Sequence, residues 1–358
     1  MSGGFFWCLF SGKSPVSVNL EPVVYMESNS INLMRVISLY LMVNIHVAVR
    51  GAYVLHDYWW IANLWDSVSR ICVPLFFMLS GALLVDKQEG LGVFFRKRAA
   101  KILAPFITWS LIYLLYRLYV GNEKDLAIES ILAGPTYFHL WFMYAIVGLY
   151  IAMPLLRVYY SSASMSLNVY VLLCWFVGLS IMPMLQSFGL FPNFAIPVNF
   201  LPQYAGYMLL GVLLRDIAQK RFALVSMCLF VFFSLLTFWL TEFVSERSGA
   251  LNERFYDYLA PNVILMSVFA FVVLNWVGSR INRGSVFLSE LGVCSFGAYL
   301  AHMLIMQTLL MYGGEVIPAW NTPYIAISIP LLTIVTFFLS LLLIWVLRKN
   351  KVTRILFT

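Results

Sequence analysis

Charge is scarce in this chain: Lys, Arg, Asp and Glu make up 11% of its 358 residues against 62% apolar ones. That balance excludes an ordinary soluble domain and makes lipid the solvent. Paired cysteines are lacking too. Cys72, Cys174, Cys228 and Cys294 lie inside apolar runs and Cys8 near the amino terminus, a spacing that fits neither a zinc site nor a disulfide framework, so they read as packing residues. No His-Glu-x-x-His is present, which leaves metal use without support, and Gly12-Lys13-Ser14 lacks the upstream Gly of a phosphate loop. No repeat stands out, and no inverted pair of broken helices announces a secondary transporter.

What remains is a succession of apolar runs, each near the length of about 20 residues that crosses a hydrocarbon core of roughly 30 Å. The sequence therefore predicts an all-α integral membrane protein of about ten transmembrane helices. The runs are Ile31 to Arg50, Val68 to Val85, Arg98 to Val120, Tyr137 to Arg157, Asn168 to Gln186, Phe200 to Arg215, Phe222 to Phe243, Tyr258 to Gly278, Leu288 to Met311 and Tyr324 to Leu347. Residues 31–347 form one domain, between an amino-terminal tail (1–30) and a basic carboxy-terminal tail (348–358).

The net charge of +7 reads as topology rather than as a nucleic-acid surface, because its basic residues fall in alternate loops. One set carries Lys87, Arg96, Lys97, Arg98 and Lys101, then Arg157, then Arg215, Lys220 and Arg221, then Arg280 and Arg283, and the tail adds Arg348, Lys349, Lys351 and Arg354. The other set carries acids such as Asp57, Asp66, Glu123, Glu242, Glu253 and Glu315. The basic set is expected in the cytosol with both termini. Phe5 to Phe10 is apolar but lacks the basic start and small-residue cleavage site of a signal peptide. Met26, just before the first span, is a candidate natural start.

An ionisable side chain deep in a helix costs about 2.5–3.5 kcal/mol to insert, so it calls for a partner or a function. Arg35 and His46 both lie in the first run; eleven residues is close to three full turns, which puts them on one face about 16 Å apart. Arg98 and Lys101 sit where the third run starts, suited to phosphate if a helix amino terminus adds its dipole. His139 opens the fourth run in His139-Leu140-Trp141-Phe142, and His302 lies mid-run after Tyr299. Snorkelling arginines and hydrogen-bonding structural histidines are the plain alternatives. Ser80-Gly81 reads as a close helix contact rather than a nucleophile.

These residues fall into an ordered set: Arg35-x10-His46; Arg70-Ile-Cys-Val-Pro74-Leu-Phe-Phe-Met-Leu-Ser80-Gly81; Lys97-Arg98-Ala-Ala-Lys101-Ile-Leu-Ala-Pro105; His139-Leu-Trp141-Phe142; and Gly297-Ala-Tyr299-Leu-Ala-His302. In this the chain resembles the acyltransferase-3 family of integral membrane O-acyltransferases, most nearly those that O-acetylate enterobacterial common antigen. It departs from the family in two places. Asn32 stands where an Asp often precedes the first-span Arg, and Lys101 where a second Arg is usual, keeping the cation but losing bidentate recognition.

The resemblance implies a bacterial inner-membrane enzyme without a permanently bound cofactor. It would take an acyl group from cytosolic acetyl-CoA and place it on a hydroxyl of an envelope glycan or lipid-linked saccharide. Arg98 and Lys101 would hold donor phosphates, Arg35 the donor's polar end or thioester carbonyl, and His46 would act as general base. His139, Trp141, Tyr299, His302, Ser80 and Arg70 would line the acceptor side or support the site. An acyl-histidine intermediate is an open alternative. The rivals are a transporter or flippase for a lipid-linked glycan and the other large superfamily of membrane-bound acyltransferases; no His-x4-Asp of the soluble kind occurs.

Overall fold

The computed structural model describes residues 26–121, 134–190, 202–217, 220–281, 285–313, 320 and 322–358. Among them all regular structure is helical: α1 (Ser28–Ala52), α2 (Trp59–Ser69), α3 (Cys72–Leu84), α4 (Leu91–Arg98), α5 (Ala104–Gly121), α6 (Trp141–Ser162) and α7 (Met165–Phe176). Then follow α8 (Met182–Ser187), α9 (Ala205–Leu214), α10 (Lys220–Ser248), α11 (Pro261–Gly278), α12 (Val286–Gly313), α13 (Ile325–Leu347) and α14 (Lys351–Phe357). Several join end to end, so the described residues hold nine helices long and apolar enough to span a membrane. The protein is an all-α integral membrane protein. Exposed Leu155, Leu235 and Leu342 on α6, α10 and α13 face where lipid would be.

The sixth predicted run differs. Only α9, ten residues long, is described there; at about 1.5 Å per residue it covers roughly half a hydrocarbon core. Phe200 and Leu201 lie outside the described residues. α9 presses against α3 through glycine: a Cβ on Gly81 would lie 2.0 Å from the Met208 carbonyl oxygen, and one on Gly211 would lie 1.8 Å from that of Met78. Such close crossing is the packing that small residues permit between membrane helices. Gly81→Ala should therefore lower the melting temperature through a loss of about 1–3 kcal/mol. Gly148→Ala, with nothing within 4 Å of the added methyl, should leave the melt where it is.

α1 is the hub of the bundle, in contact with α2, α3, α11, α12 and α13. Small polar side chains fix its rotation and depth. Ser30 donates to the Asn275 carbonyl at 3.0 Å, and Asn29 to that of Ile281 at 3.0 Å. Deeper in, Asn44 donates to the Ser69 hydroxyl at 2.8 Å and accepts from Thr333 at 3.0 Å. Residues two apart on a helix point about 200° from each other, so pinning Asn44 toward α2 and α13 turns His46 the opposite way, toward α12.

The basic segments collect at one end. Arg157 on α6 donates to the Leu84 carbonyl at 2.8 Å and pairs with Glu89 at 3.1 Å, while Arg215 pairs with Asp86 at 2.6 Å. Glu89 also meets Lys97 at 3.0 Å and Arg98 at 3.8 Å. Burial opposes ionisation of Glu89, but the hydrogen bonds from Lys97 and Arg157 outweigh it and hold the carboxyl below its ordinary range, so it is anionic at neutral pH.

Two sequence expectations need correction. Asp66 does not lie in a loop: it is fully buried in α2, because the second span starts at Trp59 and Arg70 one turn on neutralises the carboxylate. Arg98 does not start the third span either. The helix begins at Leu91 and runs through a π-turn at Ala99–Leu103 into α5, so no helix amino terminus contributes its dipole beside Arg98 and Lys101.

Candidate functional site

α1, α3, the α4–α5 junction, α6 and α12 enclose a cavity of about 500 Å³ at the basic end. Arg35, Arg98 and Lys101 all line it, with Ser80 and Tyr150 on its wall, the two hydroxyls 3.5 Å apart. Arg348 and Arg354 line it as well, and no Asp or Glu side chain does among the described residues. Arg35 and Lys101 have no ion-pair partner there, and Asn32 is turned against Gly292, where a Cβ would come within 2.4 Å of its side-chain oxygen. The π-turn is a wider turn of the kind often found at functional sites, and it still leaves Arg98 and Lys101 on the same cavity.

His46 does not line this cavity. It sits farther along α1, in a cluster with the histidines of two other helices. Its ring is stacked on His302 at 5.3 Å and lies 6.4 Å from His139, which is itself 5.1 Å from His302. His139 and His302 are buried. Phe142 stands between the cavity and the histidines: it lines the cavity and meets Tyr299 edge-on at 5.5 Å, and Tyr299 lies 5.9 Å from His302. The Arg35–His46 stripe read from the sequence thus runs from the cavity to the histidine cluster, with the Phe142 and Tyr299 rings between them.

The cluster is set by hydrogen bonds. His302 Nδ1 bonds to the Tyr299 carbonyl; a carbonyl only accepts, so Nδ1 carries the proton and a neutral His302 offers Nε2 as an acceptor. The Nε2 atoms of His46 and His302 are both buried without a hydrogen-bond partner. The Tyr299 hydroxyl donates to the His139 carbonyl at 2.8 Å. Tyr113, which sequence reasoning passed over, donates to the Leu300 carbonyl at 2.7 Å and accepts from the Leu304 N–H at 3.1 Å. Its hydroxyl thereby enters the α12 ladder at the turn that carries His302.

At 5.3 Å, two imidazolium charges would repel by about 3 kcal/mol at an effective dielectric of about 20. The pair therefore takes up one proton at a time. A buried imidazole with a free Nε2 and a neighbour able to accept is the equipment of a general base.

The remaining predicted residues lie nearby in separate roles. Trp141 stacks on Tyr258 at 5.6 Å and approaches Tyr204 at 5.9 Å, an aromatic wall at the end away from the basic loops. Arg70, at the break between α2 and α3, forms a bidentate pair with Asp66, both contacts at 2.7 Å, and lies 4.0 Å over the Tyr256 ring. Arg70 is thus fully engaged in holding that break. The i,i+4 spacing of Asp66 and Arg70 is the signal that could have joined them, but the carboxylate reads as a loop marker when the span is started at Val68.

A family model described as an acyltransferase domain, that of the acyltransferase-3 family, matches residues 28–349. Neither a curated protein nor a solved structure matches the chain.

Proposed function

Because the chain belongs to the acyltransferase-3 family and is therefore a membrane acyltransferase, we propose that it moves an acetyl group from cytosolic acetyl-CoA to a hydroxyl of an envelope glycan or lipid-linked saccharide. The observation that carries this reading is the cation-lined cavity, with no Asp or Glu side chain on its wall among the described residues, sharing helix α1 with the histidine cluster. Arg98 and Lys101 hold donor phosphates at the cytosolic mouth, and no resident cofactor is needed. Arg35, unpaired and deeper along α1, fixes the thioester carbonyl as negative charge develops on it. The acyl arm reaches the histidines past Phe142, whose ring must turn aside.

His46 Nε2 removes the proton of the acceptor hydroxyl as its oxygen attacks the thioester carbon. The carbon–sulfur bond then breaks, and the thiolate recovers the proton from the imidazolium. His302, held in one tautomer, stays neutral beside it and stabilises the imidazolium through its free Nε2. The Trp141–Tyr258 wall offers flat apolar faces to a sugar ring. The basic end faces the cytosol by the positive-inside rule, in a bacterial inner membrane.

The test is direct. Protein purified into lipid nanodiscs is incubated with labelled acetyl-CoA and a panel of undecaprenyl-linked and released bacterial glycans, followed by mass spectrometry. The expected result is an O-acetylated glycan with one CoA thiol released per acetyl transferred. Glycan movement across proteoliposomes without CoA release would replace the enzyme reading with a transporter.

A further inference from the structure

The last residues read as a basic tail in the sequence, yet they fold into a short helix against the cavity mouth. Asn350 caps α14, its side chain accepting from the Val352 N–H at 2.8 Å, and the Thr353 hydroxyl donates to the Leu347 carbonyl, tying the helix to the end of α13. Phe357 meets the buried Trp109 ring edge-on at 5.7 Å, and the Trp109 indole N–H donates to the Phe357 carbonyl at 3.5 Å. A Cβ on Gly297 would lie 2.6 Å from that same carbonyl, so α12 accepts the docked helix because a glycine faces it. Val352, Ile355 and Leu356 on α14 are exposed, an apolar set suited to the membrane interface.

This docking brings Arg354 to the cavity that Arg348 also lines. Of the five cations around it, Arg98 and Arg348 meet a carboxylate, Glu89 at 3.8 Å and Glu290 at 3.4 Å. Arg35, Lys101 and Arg354 meet none. Five like charges around one small volume repel one another, and a polyanion relieves that repulsion.

We propose that the carboxy-terminal helix Lys351–Phe357 is a wall of the donor site, with Arg354 and Arg348 binding a second phosphate group distinct from the one held by Arg98 and Lys101. The inference rests on the reading of this cavity as the donor pocket, and it narrows the donor class. Two cation pairs fit a carrier with two separate phosphate centres, such as the diphosphate and the 3′-phosphate of coenzyme A, better than a carrier with one.

Equilibrium binding of CoA and of dephospho-CoA, which lacks the 3′-phosphate, to the full chain in nanodiscs tests this. Losing one charge-assisted phosphate contact should weaken CoA binding about tenfold to a hundredfold. Arg354→Gln and Arg348→Gln should each show that loss for CoA and little further loss for dephospho-CoA, while Arg98→Gln weakens both ligands. Phe357→Ala, which undocks the helix without removing a charge, should reproduce the Arg354→Gln pattern. Arg354 is exposed, so its substitution should leave the melting temperature unchanged. Wild-type CoA affinity in both Arg348→Gln and Arg354→Gln, with Arg98→Gln impaired, would overturn the role of the helix and spare the donor pocket. An affinity that none of the substitutions alters would remove the donor pocket and the inference together.

Discussion

His46→Ala should bind CoA as tightly as the unsubstituted protein and yet transfer acetyl about 10²- to 10⁴-fold more slowly, the usual contribution of a general base. The separation of the histidine cluster from the cavity makes this split sharp. His46 contacts His302, His139 and Phe138, none of which lines the cavity that Arg35, Arg98 and Lys101 share. The measurement is CoA affinity by equilibrium binding beside kcat for glycan acetylation. Normal turnover would exclude His46 as the base. A His302→Ala variant with the larger loss would transfer that role to His302, whose Nδ1 is already committed to the Tyr299 carbonyl and whose Nε2 is therefore an acceptor.

Arg35→Ala is expected to reduce kcat/KM by about 10²- to 10³-fold, the scale seen when one donor to a developing oxyanion is removed. The guanidinium lines the cavity and has no carboxylate partner among the described residues, so its loss breaks no internal ion pair and the fold should survive. Arg35→Lys should recover part of the activity, since it restores the charge without the planar fork. Thermal melting separates the two effects: an intact melt with lost activity supports a role toward the donor. A variant that keeps full kcat/KM would limit Arg35 to a snorkelling role.

Much of the architecture was legible because a bilayer imposes a strong rule: a crossing segment must be long and apolar and must satisfy its backbone internally. Nine such helices recur among the described residues. The rule misreads places where protein replaces lipid. α9 is apolar enough to resemble a span, but its helix is ten residues long among the described residues and packs closely on α3. Asp66 resembles a loop acid, but Arg70 one turn away removes the penalty of burying it. Arg98 resembles the start of a helix because hydropathy rises there, although backbone hydrogen bonding had begun at Leu91.

The site shows the same division. Helical spacing put Arg35 and His46 on one face of α1, and the loop charges indicated which segments share an end. His139 and His302 lie 163 positions apart, outside any periodicity, and their convergence on His46 depends on how three helices are rotated about their axes. Asn44 sets that rotation for α1 and the inserted Tyr113 hydroxyl shapes the turn for α12. Likewise the tail's charges are plain in the sequence, whereas their place on the cavity follows from Phe357 docking on Trp109. The sequence by itself determined that this chain lives in a membrane, roughly where it crosses, and that Arg35, His46 and His302 lie within its spans. Tertiary structure alone decided which of them meet, because hydropathy acts on each segment separately while contacts between polar groups depend on the packing of all of them.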